Sequence, residues 1–160
     1  MTIEIIRTTG ADPRSLALRT GMDAETFGMY SGDFAAMEPE QLERLTTALH
    51  TDQADLIEAV IATEDGVDLG HAALRVLPEG GFEVKKVYVV PAARGRGVSR
   101  LLMTAIEDVA RELGETSIRL QTGVKQLEAI ALYEKTGYRA IGSFGPYAGL
   151  DDLVFMEKTL

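Results

Sequence analysis

The stretch at residues 87–102 constrains this fold more than any other, because it joins a β-rich run to a helix through a glycine turn. The run favours a strand, and Pro91 ends it since proline cannot donate to a sheet ladder. An apolar face at helical spacing then predicts a helix, with Gly114 placed as its C-terminal cap. That face consists of Val98, Leu101, Leu102, Ala105, Ile106, Val109 and Leu113. The segment therefore predicts a strand–turn–helix unit.

The turn itself suits a polyphosphate. The first turn of a helix has backbone N–H groups without partners, and the helix dipole adds roughly half a positive charge there. Gly95 and Gly97 leave no side chain to keep phosphate oxygens away, and Arg94, Arg96 and Arg100 add positive charge. A dinucleotide fingerprint would need a third glycine, and a P-loop would need Gly-Lys-Ser/Thr; neither is present. The alternative is an ordinary tight turn with exposed arginines.

Strand and helix patterns alternate along the rest of the chain and predict a mixed α+β fold. Strands are expected at residues 3–8, 56–63, 70–77 and 82–90, at a short segment ending near 123, and at 153–158. The short connections within residues 56–90 favour an antiparallel meander. Asp12 and Pro13 mark the start of a first helix, which Gly21 is expected to end, and a second helix begins near Pro39.

Residues 22–37 carry several apolar side chains and glycines, Phe27 and Tyr30 among them, but show no clear period. Two interpretations stay open for this stretch, a buried connection and a pocket wall. Apolar parity also shifts by one residue between Phe82 and Val89, which predicts a β-bulge near Lys85 and Lys86.

Composition narrows the function classes. The length of 160 residues fits one domain over residues 1–160, and no apolar run approaches the length of a membrane span. A net charge of −9 disfavours general binding to nucleic acid and could attract cationic amines, although it could equally serve solubility alone. The absence of cysteine and a count of two histidines argue against a metal site. We expect a cytoplasmic protein, as a monomer or a homodimer.

The order Arg94-Gly95-Arg96-Gly97-Val98-Ser99 resembles the motif Arg/Gln-x-x-Gly-x-Gly/Ala of the GNAT superfamily of N-acetyltransferases. Ser99 departs from the usual glycine or alanine, but it is small and has a hydroxyl for phosphate. A second block, Leu132-Tyr133-Glu134-Lys135-Thr136-Gly137-Tyr138, is similar to the family's Leu-Tyr-Glu-x-x-Gly-Phe/Tyr signature. The resemblance implies an α+β GNAT fold: a central, mostly antiparallel, splayed sheet of six or seven strands with about four helices.

The resemblance further implies acetyl-CoA as cofactor and direct acetyl transfer to a primary amine of a small molecule or peptide. An asparagine that is often found early in the family's second helix is missing here, and Gln126 lies nearby. The residues expected to contact coenzyme A are Val87, Tyr88, Val89, Arg94, Gly95, Arg96, Gly97, Val98, Ser99, Arg100, Gln126 and Ala129. The backbone of residues 87–89 is also expected to contact the thioester, which makes it the best candidate for binding the oxyanion.

Tyr133 is the candidate general acid, because a phenol stays protonated at neutral pH and can supply a proton to a departing thiolate. Glu83 is the candidate base, since a carboxylate in a half-buried strand can have a raised pKa and the family uses a glutamate there. His71 is a weaker candidate. The structural alternatives are a core tyrosine, a surface glutamate paired with Lys85 or Lys86, and a hydrogen-bonded buried histidine.

The acceptor pocket is expected to combine residues 22–37 with the aromatic loop at residues 144–147. Its named candidates are Phe27, Tyr30, His71, Phe144 and Tyr147. The loop could instead be only a hydrophobic lid over the sheet. Three other functions remain open at this stage: a non-catalytic domain that senses acyl-CoA, transfer of another acyl group or transfer to oxygen, and an interaction domain without a cofactor.

Overall fold

A seven-stranded sheet forms the centre of the protein in the computed structural model, which describes residues 2–160. Its strands are β1 (Glu4–Thr8), β2 (Leu56–Glu64), β3 (Val67–Val76), β4 (Phe82–Val89), β5 (Ser117–Thr122), β6 (Arg139–Ala140) and β7 (Val154–Thr159). Their order across the sheet is β1-β2-β3-β4-β5-β7-β6. Only β4 and β5 run parallel to each other. The expectation of a mostly antiparallel sheet is confirmed.

Four α-helices flank the sheet. They are α1 (Pro13–Ala36), α2 (Pro39–Leu49), α3 (Val98–Glu112) and α4 (Leu127–Lys135). The carboxylate of Asp12 caps α1 by accepting a hydrogen bond from the backbone N–H of Arg14 at 2.8 Å. Pro13 and Pro39 open α1 and α2, where the missing N–H of proline is not needed. The predicted starts of these two helices are therefore confirmed.

The expectation that Gly21 ends the first helix is wrong, because α1 continues through it to Ala36. A glycine inside a helix costs only about 1 kcal/mol relative to alanine, which tertiary contacts can offset. The helix passes close over Tyr88 at this point, and a Cβ on Gly21 would lie 3.4 Å from the Tyr88 hydroxyl. Residues 22–37 are thus mostly helical rather than an irregular connection.

The two faces of the sheet are covered differently. Val60, Leu74 and Val84 point to the face on which α3 packs, where they meet Leu102 and Ile106 in the main apolar core. Helices α1 and α2 cover the opposite face. There a smaller apolar cluster, which we call the loop cluster, joins α2 to the chain around β7. Its buried members are Ala48, Leu77, Phe144, Tyr147 and Phe155.

The sheet splays between its two parallel strands. β4 and β5 pair over two positions only, Glu83 with Arg119 and Val84 with Leu120. Beyond Val84 the side of β4 that faces β5 therefore has no strand partner. β5 continues in the ladder with β7 instead, so the two strands leave a gap between them.

Candidate active site

The gap between β4 and β5 holds a groove of about 820 Å³. Its walls come from the end of β4, the turn before α3, the start of α4 and the middle of α1. Among the predicted cofactor-binding residues, all but Arg96 line it. These are Val87, Tyr88, Val89, Arg94, Gly95, Gly97, Val98, Ser99, Arg100, Gln126 and Ala129. Residues more than 30 positions apart in the sequence therefore meet in one cavity.

The glycine turn presents bare backbone to this groove. Gly95 and Gly97 have φ values of 76° and 79°, a left-handed conformation that a residue with a Cβ avoids. Gly97 is the N-cap of α3, and no side chain caps the helix there. The first N–H groups of α3 therefore lack a side-chain partner, and an anion can bind to them. A Cβ on Gly97 would point into open space, the space that such an anion needs.

The three arginines of the turn have different partners. Arg94 lines the groove and forms an ion pair with Glu25 of α1, with nitrogen–oxygen distances of 2.6 and 2.7 Å. Arg96 points away from the groove and pairs with Glu64 at 2.7 Å. Arg100 lines the groove and has no ion-pair partner within residues 2–160. The cations that line the groove are thus Arg94, Arg100 and Lys125, of which Arg94 and Lys125 are paired with carboxylates of α1.

The end of β4 contains the predicted bulge. His71 of β3 faces Tyr88, and Ala73 faces Lys85, so β4 has one residue more than β3 between these pairs. Lys86 lies within this stretch and has a φ of 58°, which is left-handed. A bulge interrupts the ladder and turns the following residues. Val87, Tyr88 and Val89 then line the groove.

Tyr133 reaches the groove from α4 and is 5% exposed. The neighbouring Tyr138 donates its hydroxyl to Glu107 at 2.9 Å, whereas the Tyr133 hydroxyl has no hydrogen-bond partner in the part of the chain that the structure describes. Burial raises the pKa of Tyr133 above the usual value of a phenol. The side chain therefore stays protonated at neutral pH and can donate a proton into the groove.

The glycine turn before α3, the splayed β4 and a tyrosine in one groove agree with the comparison of the sequence with known families. Residues 24–138 match the acetyltransferase (GNAT) family. The chain belongs to this family. It is thus an acyltransferase, and its mixed sheet with four helices is the family's fold.

Individual relatives are similar to this chain over most of their length. An "IAA acetyltransferase" of Azospirillum brasilense is 41% identical over 138 residues, which cover 85% of this chain and 87% of that protein. A solved structure from Klebsiella pneumoniae, provisionally assigned as an acyl-CoA N-acyltransferase, has a TM-score of 0.77 and 29% identity, covering 99% and 98% of the two chains. The PaiA N-acetyltransferase of Thermoplasma acidophilum, solved with coenzyme A, shares the fold with a TM-score of 0.65 and 18% identity over both full chains.

The residues with which α1 lines the acetyltransferase's groove were not named among the predicted site residues. Met22, Glu25, Thr26 and Met29 of α1 line it. Of the two interpretations of residues 22–37, the structure thus favours the pocket wall. The four residues stand at positions i, i+3, i+4 and i+7, which is helical spacing. Because two of them are polar, the pattern could not be recognised from apolar residues alone.

Across the sheet, on the face that α1 and α2 cover, lies a row of polar side chains. It consists of His71 and Arg75 of β3 and Glu83 and Lys85 of β4, all less than a tenth exposed, and we call it the buried polar row. None of these four side chains lines the groove of the acetyltransferase. The sheet itself separates the row from the apolar core under α3.

Glu83 is the centre of one half of this row. Arg75 donates to both of its carboxylate oxygens at 3.2 Å, and Lys85 lies 3.3 Å away. The Tyr147 hydroxyl donates to Glu83 at 2.8 Å and accepts from Lys85 at 2.9 Å. Burial lowers the pKa of Lys85 to about 8. The carboxylate of Glu83 is thus bonded to donors from β3, β4 and the loop cluster.

His71 is the centre of the other half and is fully buried. Its Nδ1 lies 2.9 Å from the backbone carbonyl of Lys86, and its Nε2 lies 2.6 Å from the hydroxyl of Ser15. Arg19 donates to the same hydroxyl at 2.7 Å. Burial lowers the pKa of His71 to about 4, so the ring is neutral at physiological pH. With both ring nitrogens engaged, this placement agrees with the alternative of a hydrogen-bonded buried histidine.

The structure separates the aromatic residues expected to form one acceptor pocket. Phe27 is 64% exposed on α1, and the hydroxyl of Tyr30 accepts from the backbone N–H of Lys125 at 3.1 Å, beside the start of α4. Phe144 and Tyr147 instead belong to the loop cluster, where their rings pack edge to face. The two pairs therefore lie in different clusters, because α1 continues as a helix where a break was expected.

Within residues 2–160, neither a membrane-spanning helix nor a metal-binding cluster is found. No helix in this range combines the length and the apolar character needed to cross a membrane. No group of three side chains from His, Cys, Asp or Glu lies in an arrangement that could hold a metal ion in the same range.

Proposed function

We propose that this acetyltransferase transfers the acetyl group of acetyl-CoA directly to a primary amine of a small molecule or peptide. The observation that carries the proposal is the single groove that joins the bare N-terminus of α3 to the hydroxyl of Tyr133. Bound acetyl-CoA would supply an activated thioester. The residues of the groove fit it, since they offer anion-binding backbone at one end and a proton donor at the other.

The proposed contacts with coenzyme A follow the groove. The backbone N–H groups at Gly95, Gly97 and Val98 bind the diphosphate, with Arg94 and Arg100 beside them. The free side of β4 binds the pantetheine arm through peptide groups, opposite Gln126 and Ala129 of α4. Each contact is made by groups that lack another partner or have an exposed one, which supports this assignment.

Tyr133 is the proposed general acid. Its hydroxyl is free of other hydrogen bonds in the described chain and its pKa is raised. It therefore remains protonated at neutral pH and can donate a hydrogen bond and then its proton to the sulfur as the tetrahedral intermediate collapses. The residue lines the groove and also belongs to the main apolar core, so its position supports catalysis as well as packing.

Glu83 is the proposed base, acting through water. Neither its carboxylate nor the fully buried Tyr147 that donates to it lines the groove, so a proton from the amine would have to reach Glu83 by way of solvent. Glu83→Gln tests this route and keeps the size of the side chain. We expect kcat/KM to fall about tenfold or more near pH 7, with partial recovery at high pH where more amine is neutral. An unchanged pH profile would exclude the route.

A screen of amine acceptors tests the function as a whole. Thiol release from acetyl-CoA is the readout, and the chain has no cysteine to add background. A thermal-shift assay in parallel reports binding, since ligand at about 100 times its Kd stabilises by roughly 2.7 kcal/mol. Acceptor-dependent thiol release with an N-acetylated product supports the proposal. Binding without turnover on any amine would contradict it and favour an acyl-CoA sensor.

The same proposal implies where the enzyme works. Acetyl-CoA is an intracellular metabolite, so we propose a cytoplasmic location, as a monomer or a homodimer.

A further inference from the structure

We propose that His71 is a positioning residue that holds the β4 bulge in the shape in which its peptide groups face the thioester. The inference rests on the proposed contact between β4 and the thioester, and it concerns a side chain that never touches the cofactor. The observation that supports this role is a chain of hydrogen bonds that runs from Arg19 through Ser15 to His71 and on to the carbonyl of Lys86.

The bulge needs support from outside the sheet. Lys86 has a left-handed φ of 58°, which is unfavourable for a residue with a Cβ. On one side the ladder with β3 is interrupted there, and on the other side β4 has no partner beyond Val84. The ring of His71 supplies what the ladder does not, because Nδ1 lies 2.9 Å from the Lys86 carbonyl. This bond fixes the peptide plane that leads directly into Val87, a groove residue.

The neighbours of His71 determine which nitrogen donates. The Ser15 oxygen accepts a hydrogen bond from Arg19, so its own hydrogen is free to point at Nε2 of His71. Nε2 then accepts, and the neutral ring carries its proton on Nδ1, where it donates to the Lys86 carbonyl. The charged groups that face the ring, Arg19 from α1 and Lys86 from β4, both disfavour a second proton. The tautomer needed for the bond to Lys86 is thus set from α1.

The position of this bond predicts which kinetic constant depends on it. The diphosphate would bind to the turn at Gly95 and Gly97, which contacts neither His71 nor Ser15. A loosened bulge would leave that binding intact. It would misplace the peptide groups that act on the reacting carbonyl, and small displacements there affect turnover strongly. We therefore expect His71 to affect kcat much more than the affinity for the cofactor.

Two substitutions separate the two hydrogen bonds of the ring. In His71→Asn the side-chain amide nitrogen can occupy the place of Nδ1 and still donate to Lys86. In His71→Gln the longer side chain reaches the place of Nε2 and keeps Ser15, but loses Lys86. Each variant loses one bond, so a merely structural role would affect both alike. We expect kcat to fall roughly tenfold to a hundredfold in His71→Gln, and far less in His71→Asn, with the acetyl-CoA affinity of both near wild type.

Hydrogen exchange of the peptide that contains residues 86–89 gives a readout without turnover. We expect faster exchange in His71→Gln than in His71→Asn or the wild type. Equal losses in both variants, or a larger loss in His71→Asn, would overturn the inference. A difference in exchange with equal turnover would also overturn it, because the bulge would then not matter for catalysis. If the wild type acetylates no amine, the proposed function fails, while exchange still decides whether His71 holds the bulge.

If neither variant at His71 folds, Ser15→Ala provides the second measurement. It removes the partner of Nε2 and leaves the bond from His71 to Lys86 possible. We expect exchange at residues 86–89 to rise modestly and kcat to fall with it. An unchanged kcat alongside faster exchange would count against the inference, and so would unchanged exchange.

Discussion

The glycine turn before α3 and the buried polar row across the sheet differ in whether their polar groups have partners within the protein. At the turn, backbone N–H groups and Arg100 face an open groove without a protein partner. In the row, nearly every polar atom is bonded to another one, and the Nε of Arg75 is the buried exception found in residues 2–160. The turn is therefore ready for a ligand as it stands, whereas the row is closed on itself. This contrast explains why the cofactor class can be inferred from this chain and the acceptor cannot.

The largest effect is expected from a substitution in the glycine turn. Gly97→Val would force a β-branched residue into a left-handed conformation and place its side chain where the anion is proposed to bind. We expect acetyl-CoA affinity to fall by about a thousandfold or more, equivalent to about 4 kcal/mol, measured by calorimetry. Gly114→Val is the matched control at the other end of α3, with φ of 89° and equally open surroundings. Equal losses in both variants would mean that backbone strain, not the anion site, explains the effect.

The second effect concerns the polar row and its dependence on pH. The pKa of His71 is about 4 in the folded protein, against 6.5 as the ordinary value. As the pH falls, His71 takes up a proton in the unfolded chain before it does so in the folded protein. The stability that the neutral, buried ring contributes is therefore complete above pH 6.5 and is lost as the pH falls toward 4. The loss amounts to about 3 kcal/mol of unfolding free energy.

Denaturant titrations of the wild type and His71→Gln between pH 4 and pH 7 isolate this contribution from the carboxylates, which titrate in both proteins. The wild type should lose more stability over the interval than the variant does. Parallel curves would show that His71 is not held neutral by its surroundings.

The third effect tests the free hydroxyl in the groove. Tyr133→Phe should lower kcat about a hundredfold, because a general acid typically contributes that much, and should leave acetyl-CoA affinity unchanged. Tyr138→Phe is the control, since the two rings lie 5.6 Å apart but the Tyr138 hydroxyl is bonded to Glu107. The control should lose stability rather than turnover. Full activity of Tyr133→Phe would remove Tyr133 from the mechanism.

The smallest effect sharpens the description of the turn. Glu25→Gln removes the carboxylate that occupies Arg94 and should tighten acetyl-CoA binding by up to about fivefold, since exposed ion pairs contribute about 0.2–1 kcal/mol. Asp108→Asn breaks an exposed pair with Arg111 of α3, away from the groove, and should have no such effect. The gain should shrink as salt increases. Weaker binding in Glu25→Gln would show that Glu25 supports the site.

Features coded by neighbouring residues could be predicted from the sequence. The strand, proline, glycine turn and helix at residues 87–112 are confirmed, and so is the bulge near Lys86, because turn residues and apolar periods express them locally. The course of residues 22–36 could not be predicted. It depends on packing against distant residues such as Tyr88, more than 50 residues away, whose hydroxyl would lie 3.4 Å from a Cβ on Gly21.

The polar row was missed for the same reason. Glu83 could be singled out as a carboxylate in a strand, but its partners Arg75 and Tyr147 become neighbours only when β3, β4 and the loop cluster assemble. No pattern within one segment reports that a charge will be buried beside two cations. Assignments that depend on one stretch of chain therefore succeeded in the structure more often than those that needed three.

The two-residue join between β4 and β5 has a mechanical consequence. It makes the sheet two plates, β1 to β4 and β5 to β7, that meet along a very short hinge. Glu83 and Arg119 stand opposite each other at that hinge, and Arg119 is tied in turn to Glu157 of β7. A molecule that lies between the plates can extend no further than these two paired positions. Backbone pairing at Glu83 and Val84 therefore sets the closed end of the gap.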